Sequence, residues 1–172
     1  LDIDALKSQK DLDRILDSFA KKETDVLVGT QLVAKGLDFD NVGLVGIIAA
    51  DVTLNIPDYR SSERTFQLIT QAAGRAGRGK KRGRVIIQTY EPEEQAIQSA
   101  AKNDYDSFFR SEISIRKLMG YPPFTDIITV SFTAKDEATA VAFGERCKNY
   151  IEKLFSAEDK TAVLSPKFAS GF

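Results

Sequence analysis

Residues 42–51 read Val42-Gly43-Leu44-Val45-Gly46-Ile47-Ile48-Ala49-Ala50-Asp51, nine positions without a polar side chain ending on a carboxylate. A strand covered on both faces needs apolar residues at every position, so this run predicts a strand of a parallel sheet. Upstream, Val26-Leu27-Val28 repeats the profile on a smaller scale and breaks at Gly29-Thr30. Downstream, Val85-Ile86-Ile87-Gln88 supplies a third candidate strand. Between the second and third, Phe66, Ile69, Ala72 and Ala73 recur at helical spacing, predicting a helix over about 61–76 that Gly77 and Gly79 stop. Leu12, Ile15, Leu16 and Phe19 follow the i, i+3, i+4, i+7 rule, so a helix is expected from about residue 5 to residue 21. Strand, loop, strand, helix, strand is the order of an open α/β sheet, where ligands sit at the carboxyl ends of the strands. Two polar elements fall there: Thr30 to Asp38 after the first strand, and Asp51 after the second.

Beyond Tyr90 the pattern changes. Pro92-Glu93-Glu94 has the chemistry of a helix start, and Asp104 is placed to cap a second helix that runs to about Met119 and stops at Gly120. Tyr121-Pro122-Pro123-Phe124 forms a rigid joint. After it, Ile127 to Ala134 alternates as a half-buried strand, Phe143, Cys147, Tyr150, Ile151 and Leu154 make a helical stripe, and Ala162-Val163-Leu164 is a last strand candidate. This reads as a second, incomplete α+β domain.

Composition narrows the function. The 172 residues are 42% hydrophobic and 28% charged, an ordinary globular balance that excludes collagen-like and disordered chains. No run approaches eighteen apolar residues and no signal segment opens the chain, so no membrane partner and a cytoplasmic location are expected. The lone Cys147 rules out a disulfide within the chain, and the lack of histidine excludes Ser-His-Asp and Cys-His catalysis and every imidazole zinc site. The first residue is Leu1 and the sole methionine is Met119, so the chain is expected to be a piece of a longer one.

Net charge is −1, yet from Arg64 to Tyr90 there is no acid while Arg64, Arg75, Arg78, Lys80, Lys81, Arg82 and Arg84 supply seven positive charges. Interleaving in Gly74-Arg75-Ala76-Gly77-Arg78-Gly79 lets backbone and guanidinium approach a phosphate closely. Gly74 to Lys81 is not itself a phosphate-cradling P-loop. Lys81 stands where a Mg²⁺-binding hydroxyl is required, and the stretch follows a helix instead of opening one. The candidate chemistry is therefore Gln71, Arg75 and Arg78, the first, fifth and eighth residues of Gln71 to Arg78. Planar cationic forks at a helix end suit the equatorial oxygens of a transferring γ-phosphoryl group held elsewhere.

Gln71 to Arg78 resembles motif VI of superfamily 2 helicases, and Val28-Gly29-Thr30-Gln31 through Asp38 resembles motif V. The wording is similar to that of the bacterial primosomal replication-restart DNA helicases. It recurs in Leu54-Asn55-Ile56-Pro57-Asp58-Tyr59-Arg60, Glu63-Arg64-Thr65-Phe66-Gln67-Leu68, Val85 to Tyr90, Asp104-Tyr105 and Gly120 to Phe124. The resemblance implies an ATP-dependent DNA helicase that remodels stalled forks and loads the primosome. Residues 1–90 would be the later part of its second RecA-like lobe, 91–121 a helical connector, and 122–172 the start of a truncated C-terminal domain. It implies Arg78 as the arginine finger with Arg75 beside it. Gly36, Asp38 and Gln71 would lie on the ATP side of the cleft, with Thr30 and Gln31 on the backbone of single-stranded DNA. The ATP–Mg²⁺ cradle and a cysteine-rich zinc insertion would lie upstream, with no metal site in this chain. Expected partners are single-stranded and forked DNA, the primosome and single-stranded-DNA-binding proteins. On this reading the isolated chain is inactive. Another superfamily 2 helicase, or a non-catalytic nucleic-acid or partner-binding module, is the alternative.

Other conspicuous residues have structural readings. Asp51 and Asp58 are expected as caps or turn formers, Glu63 and Arg64 as an ion pair, and Lys80 to Arg84 as a solvated loop. Tyr105, Phe108 and Phe109 are expected as helix packing.

Overall fold

The computed structural model describes residues 9–29, 39, 42–77, 83–155 and 162–164. The chain divides into two compact units, Leu1–Thr125 and Asp126–Phe172.

In the first unit, α1 spans Gln9–Ala20, β1 Leu44–Ile47, α2 Ser61–Ala73, β2 Arg84–Ile87, α3 Gln95–Lys102 and α4 Tyr105–Met119. A short 3-10 turn, Ala50–Val52, follows β1 after Ala49, whose φ is +53°. The strands pair in parallel, Leu44 opposite Arg84 and Ile47 opposite Ile87, with α2 as the crossover. The mixed α/β class read from the apolar runs is thus the one observed. Each strand alternates exposed and half-buried residues, so one face of the sheet meets the helices and the other meets water.

The core lies on the covered face. Phe66 and Ile69 of α2, Ala96, Ile97 and Ala100 of α3, and Phe108 of α4 are buried with Ala50, and Ile47, Leu54 and Ile87 pack against them. Phe66 and Phe108 stack with centroids 4.4 Å apart and planes 11° apart. Small residues on α3 let it lie close against α2, while the two rings fill the space between α2 and α4.

Helix ends follow local chemistry. Asp104 caps α4 by accepting the Ser107 N–H at 3.0 Å, and Gly120 closes it at φ +64°. Asn103, at φ +54°, turns the chain between α3 and α4. Helix α3 begins at Gln95, because Pro92 and Glu93 lie in a turn before it instead of in its first turn. Helix α2 ends at Ala73 with Gly74 as its cap, ahead of Gly77.

Three strand expectations are corrected. Val26-Leu27-Val28 is not a strand, and its two valines are each 70% exposed. The sheet therefore has two strands among the described residues, not three. Ile127 to Ala134 and Ala162 to Leu164 likewise form no strand, and Ile128 and Leu164 lie open to solvent.

The second unit contains α5, Glu137–Leu154, whose N-terminus is capped by Asp136 accepting from the Thr139 N–H at 2.8 Å. Phe143 of α5 packs edge-on against Phe132 at 5.2 Å, and Cys147 is half-buried. No helix of the described residues is long and apolar enough to cross a membrane.

Candidate functional site

The site is built on the C-terminal end of α2. The helix relaxes into tighter turns there: the Arg75 N–H donates to the Ala72 carbonyl at 3.1 Å and the Ala76 N–H to Ala73 at 3.0 Å. Gly77 then adopts φ +78°, open to glycine at little cost, and its N–H donates to the Val42 carbonyl at 3.0 Å. The turn is thereby fastened to the chain entering β1. Gly83 seals the other side: a Cβ there would collide with the Gly77 nitrogen and the Ala76 backbone.

Two predicted site residues fall in this region. Gln71 is exposed on the last turn of α2, and Arg75 is half-buried four residues later, so both lie at the same helix end. Thr30, Gln31, Gly36, Asp38 and Arg78 lie outside the described residues, as do Lys80, Lys81 and Arg82. The hydroxyl of Thr70, next to Gln71, is buried without a hydrogen-bond partner among the described residues.

The carboxyl ends of the two strands are joined by Asp51. Its side chain, in a residue only 6% exposed, accepts from the Thr89 hydroxyl, from the Tyr90 N–H at 3.1 Å and from the Glu91 N–H at 3.3 Å. The Thr89 hydroxyl, helped by the two amides against the opposing effect of burial, holds this carboxyl below its ordinary value. Asp51 is thus a structural tie, as its sequence position suggested.

The opposite end of α2 is braced by charge. The Asp58 carboxylate accepts from the Arg60 Nε at 3.1 Å and Nη2 at 3.0 Å, and pairs with Arg64 at 3.0 Å. Hydrogen bonding from Arg60, side chain first and then backbone, lowers the Asp58 carboxyl and raises the guanidinium. Glu63 does not pair with Arg64. It takes Arg116 of α4 at 2.8 Å, because Asp58 already engages Arg64 from the preceding loop. Arg116 also holds Glu112 at 2.8 Å, and its guanidinium lies 5.2 Å from the Tyr59 ring centre. Burial works against its charge but is outweighed by the two carboxylates, so its pKa is raised. Nothing in the spacing of Glu63 and Arg116, 53 residues apart, announces this contact.

Phe108 packs in the core as expected, whereas Tyr105 and Phe109 stack on each other at 6.0 Å and stay exposed. Among the described residues no group of three or more His, Cys, Asp or Glu side chains is placed to hold a metal ion. The donors that Gln71 and Arg75 bring to the end of α2 are an amide and a guanidinium.

Residues 1–80, which include α2 and the turn after it, match the helicase conserved C-terminal domain. Replication restart protein PriA of Bacillus subtilis is 41% identical over 166 residues, covering 96% of this chain and 20% of that relative. PriA of Borreliella burgdorferi is 44% identical over 138 residues, 80% of this chain and 20% of the relative. PriA of Synechocystis is 43% identical over 143 residues, 81% of this chain and 17% of the relative. The chain spans about a fifth of the length of these curated relatives. A helicase domain carrying the glycine-pinned arginine turn, in continuous likeness that extends well past that domain, places the chain in the PriA replication-restart family of helicases.

Proposed function

We propose that the chain works as part of an ATP-dependent DNA helicase that remodels stalled forks and loads the primosome during replication restart. Its contribution is an arginine finger and part of the track for single-stranded DNA. The observation that carries this reading is the mounting of the arginine turn. Arg75 follows a packed helix, and the turn after it is bonded through Gly77 to the chain entering β1 and backed by Gly83. A guanidinium acting on a phosphate held by another lobe has to be presented from a rigid support, since its value lies in meeting charge that develops only in the transition state.

In this reading Arg78 reaches the γ-phosphate, with Arg75 beside it and Gln71, Gly36 and Asp38 on the ATP side of the cleft. Thr30 and Gln31 contact the sugar-phosphate backbone, a grip indifferent to base sequence. ATP with Mg²⁺ is held by residues outside this chain, as is zinc. The working partners are single-stranded and forked DNA, the primosome and single-stranded-DNA-binding proteins, in the cytoplasm. Residues 1–90 serve as the later part of a RecA-like lobe, 91–121 as a connector, and 122–172 as the start of a further domain.

In the longer helicase, Arg78→Ala is expected to lower DNA-stimulated ATP hydrolysis by about 10³-fold or more while DNA affinity is retained. Turnover equal to that of the unsubstituted helicase refutes the assignment, as does DNA-stimulated hydrolysis by the 172-residue chain alone.

A further inference from the structure

The geometry points to Arg116 as a positioning residue for the arginine-bearing end of α2, an inference that rests on the nucleotide-facing reading of Arg75 and Arg78. One guanidinium, its side chain 13% exposed, joins three segments of the first unit. Nη2 donates to Glu63 of α2 at 2.8 Å and Nε to Glu112 of α4 at 2.8 Å, while the plane lies 5.2 Å from the ring of Tyr59 in the loop before α2. Glu63 is steadied from the other side by the Gln67 amide at 3.0 Å. The Tyr59 ring also has the Arg60 guanidinium 5.2 Å away and Tyr121 at 5.6 Å, so it belongs to the clamp instead of offering a base-stacking surface.

The clamp supplies what apolar packing between these helices lacks. The Phe66–Phe108 stack holds α2 and α4 together, but burial is non-directional and tolerates rotation about the helix axis. The charge-assisted bonds of Arg116 fix that rotation. Helix α2 is rigid, and Arg75 follows Glu63 by twelve residues, about 18 Å along the axis. A rotation of about 10° at the clamped end therefore moves a group about 6 Å from the axis by about 1 Å at the other. Removing Arg116 also leaves the Glu63 and Glu112 carboxylates without the cation they share. Lysine restores the charge but, as a point donor, not the fork that spans both acids.

The test uses the longer helicase. Arg116→Gln is expected to lower kcat for DNA-stimulated ATP hydrolysis by about 10- to 100-fold with KM for ATP nearly unchanged. Arg116→Lys should lie between it and the unsubstituted protein. Glu63→Gln, which breaks only the bond from Arg116 to α2, should lower kcat in the same direction, and the double variant should be no worse than Arg116→Gln, since that change already removes the contact. Unchanged kcat in Arg116→Gln, or full additivity in the double variant, overturns the inference. If Arg78→Ala leaves hydrolysis intact, the nucleotide-facing reading fails, and the clamp is judged in the 172-residue chain by amide exchange. There the Gly77 N–H, bonded to Val42, should exchange at least about 10-fold faster in Arg116→Gln relative to the Ile69 amide in the core. An unaltered ratio overturns the clamp as well. Should Arg116→Gln fail to fold, Arg116→Lys and Glu63→Gln carry the same comparisons.

Discussion

Replacing Gly83 with alanine adds one methyl group where the backbone leaves no room. An ideal Cβ on Gly83 overlaps the Gly77 nitrogen and the Ala76 carbonyl carbon and lies 2.7 Å from the Ala76 Cβ. Non-bonded carbons rest about 3.5–4.0 Å apart, so the overlap with Ala76 is about 1 Å. The two worst contacts are with main chain, and no side-chain rotation relieves them. Forced overpacking of this kind costs about 1–3 kcal/mol. For a chain of this size that lowers the melting temperature by about 2–12 °C. Strand β1 and its approach supply the comparison: Cβ atoms at Gly43 and Gly46 meet nothing within 4 Å. Gly46→Ala should therefore be neutral or stabilise by up to about 1 kcal/mol, by restricting the unfolded chain. Thermal unfolding of the two variants and the unsubstituted chain, followed by circular dichroism, reads the difference. Amide exchange at Gly77 should rise in Gly83→Ala alone. If Gly83→Ala melts at or above the unsubstituted chain, the sealed turn at the end of α2 is wrong, and so is the rigid mounting that supports the arginine reading.

Two further outcomes test the scaffold. Ile69, 2% exposed, is among the most deeply buried side chains, and Ile69→Ala should destabilise the chain by about 2–5 kcal/mol in urea unfolding. A loss under 1 kcal/mol would remove α2 from the core. Asp51 has a carboxyl pKa below its ordinary 3.8, so its ionised form favours folding: the stability it contributes is present above about pH 3.8 and is lost as pH falls through the folded value. Asp51→Asn should be less stable than the parent at pH 7 and converge with it on acidification, and parallel stability–pH curves would contradict the tie to Thr89.

The features legible in the sequence are those that depend on near neighbours. The stripe Leu12, Ile15, Leu16 and Phe19 marks α1, Asp104 and Gly120 mark the ends of α4, and the apolar runs at 42–50 and 85–88 mark β1 and β2. Each signal rests on backbone periodicity or on a cap that acts within a turn. Strand identity at 26–28, 127–134 and 162–164 depends instead on covering layers, which alternation does not reveal. Charge pairing failed for the same reason. Glu63 and Arg64 are adjacent in sequence, but neighbours on a helix point to different sides, and each found its partner on another segment. At the candidate site, the residue types in Gln71 to Arg78 pointed to phosphate chemistry. The bond from Gly77 to Val42 and the closure by Gly83 were invisible, since they join segments apart in sequence.

The pairing of Leu44 with Arg84 has a kinetic consequence. Helices α3 and α4 are neighbours along the chain, so the contacts between them close a short loop. The sheet must close a loop of 40 residues before its first ladder bond forms. Contact-order reasoning places the α3–α4 pair early and the sheet late, together with the packing of α2 on α4, the usual rank of local over distant contacts in folding speed. During synthesis, β1 emerges first and waits for its mate, its backbone donors and acceptors open to any other strand in reach until β2 leaves the ribosome.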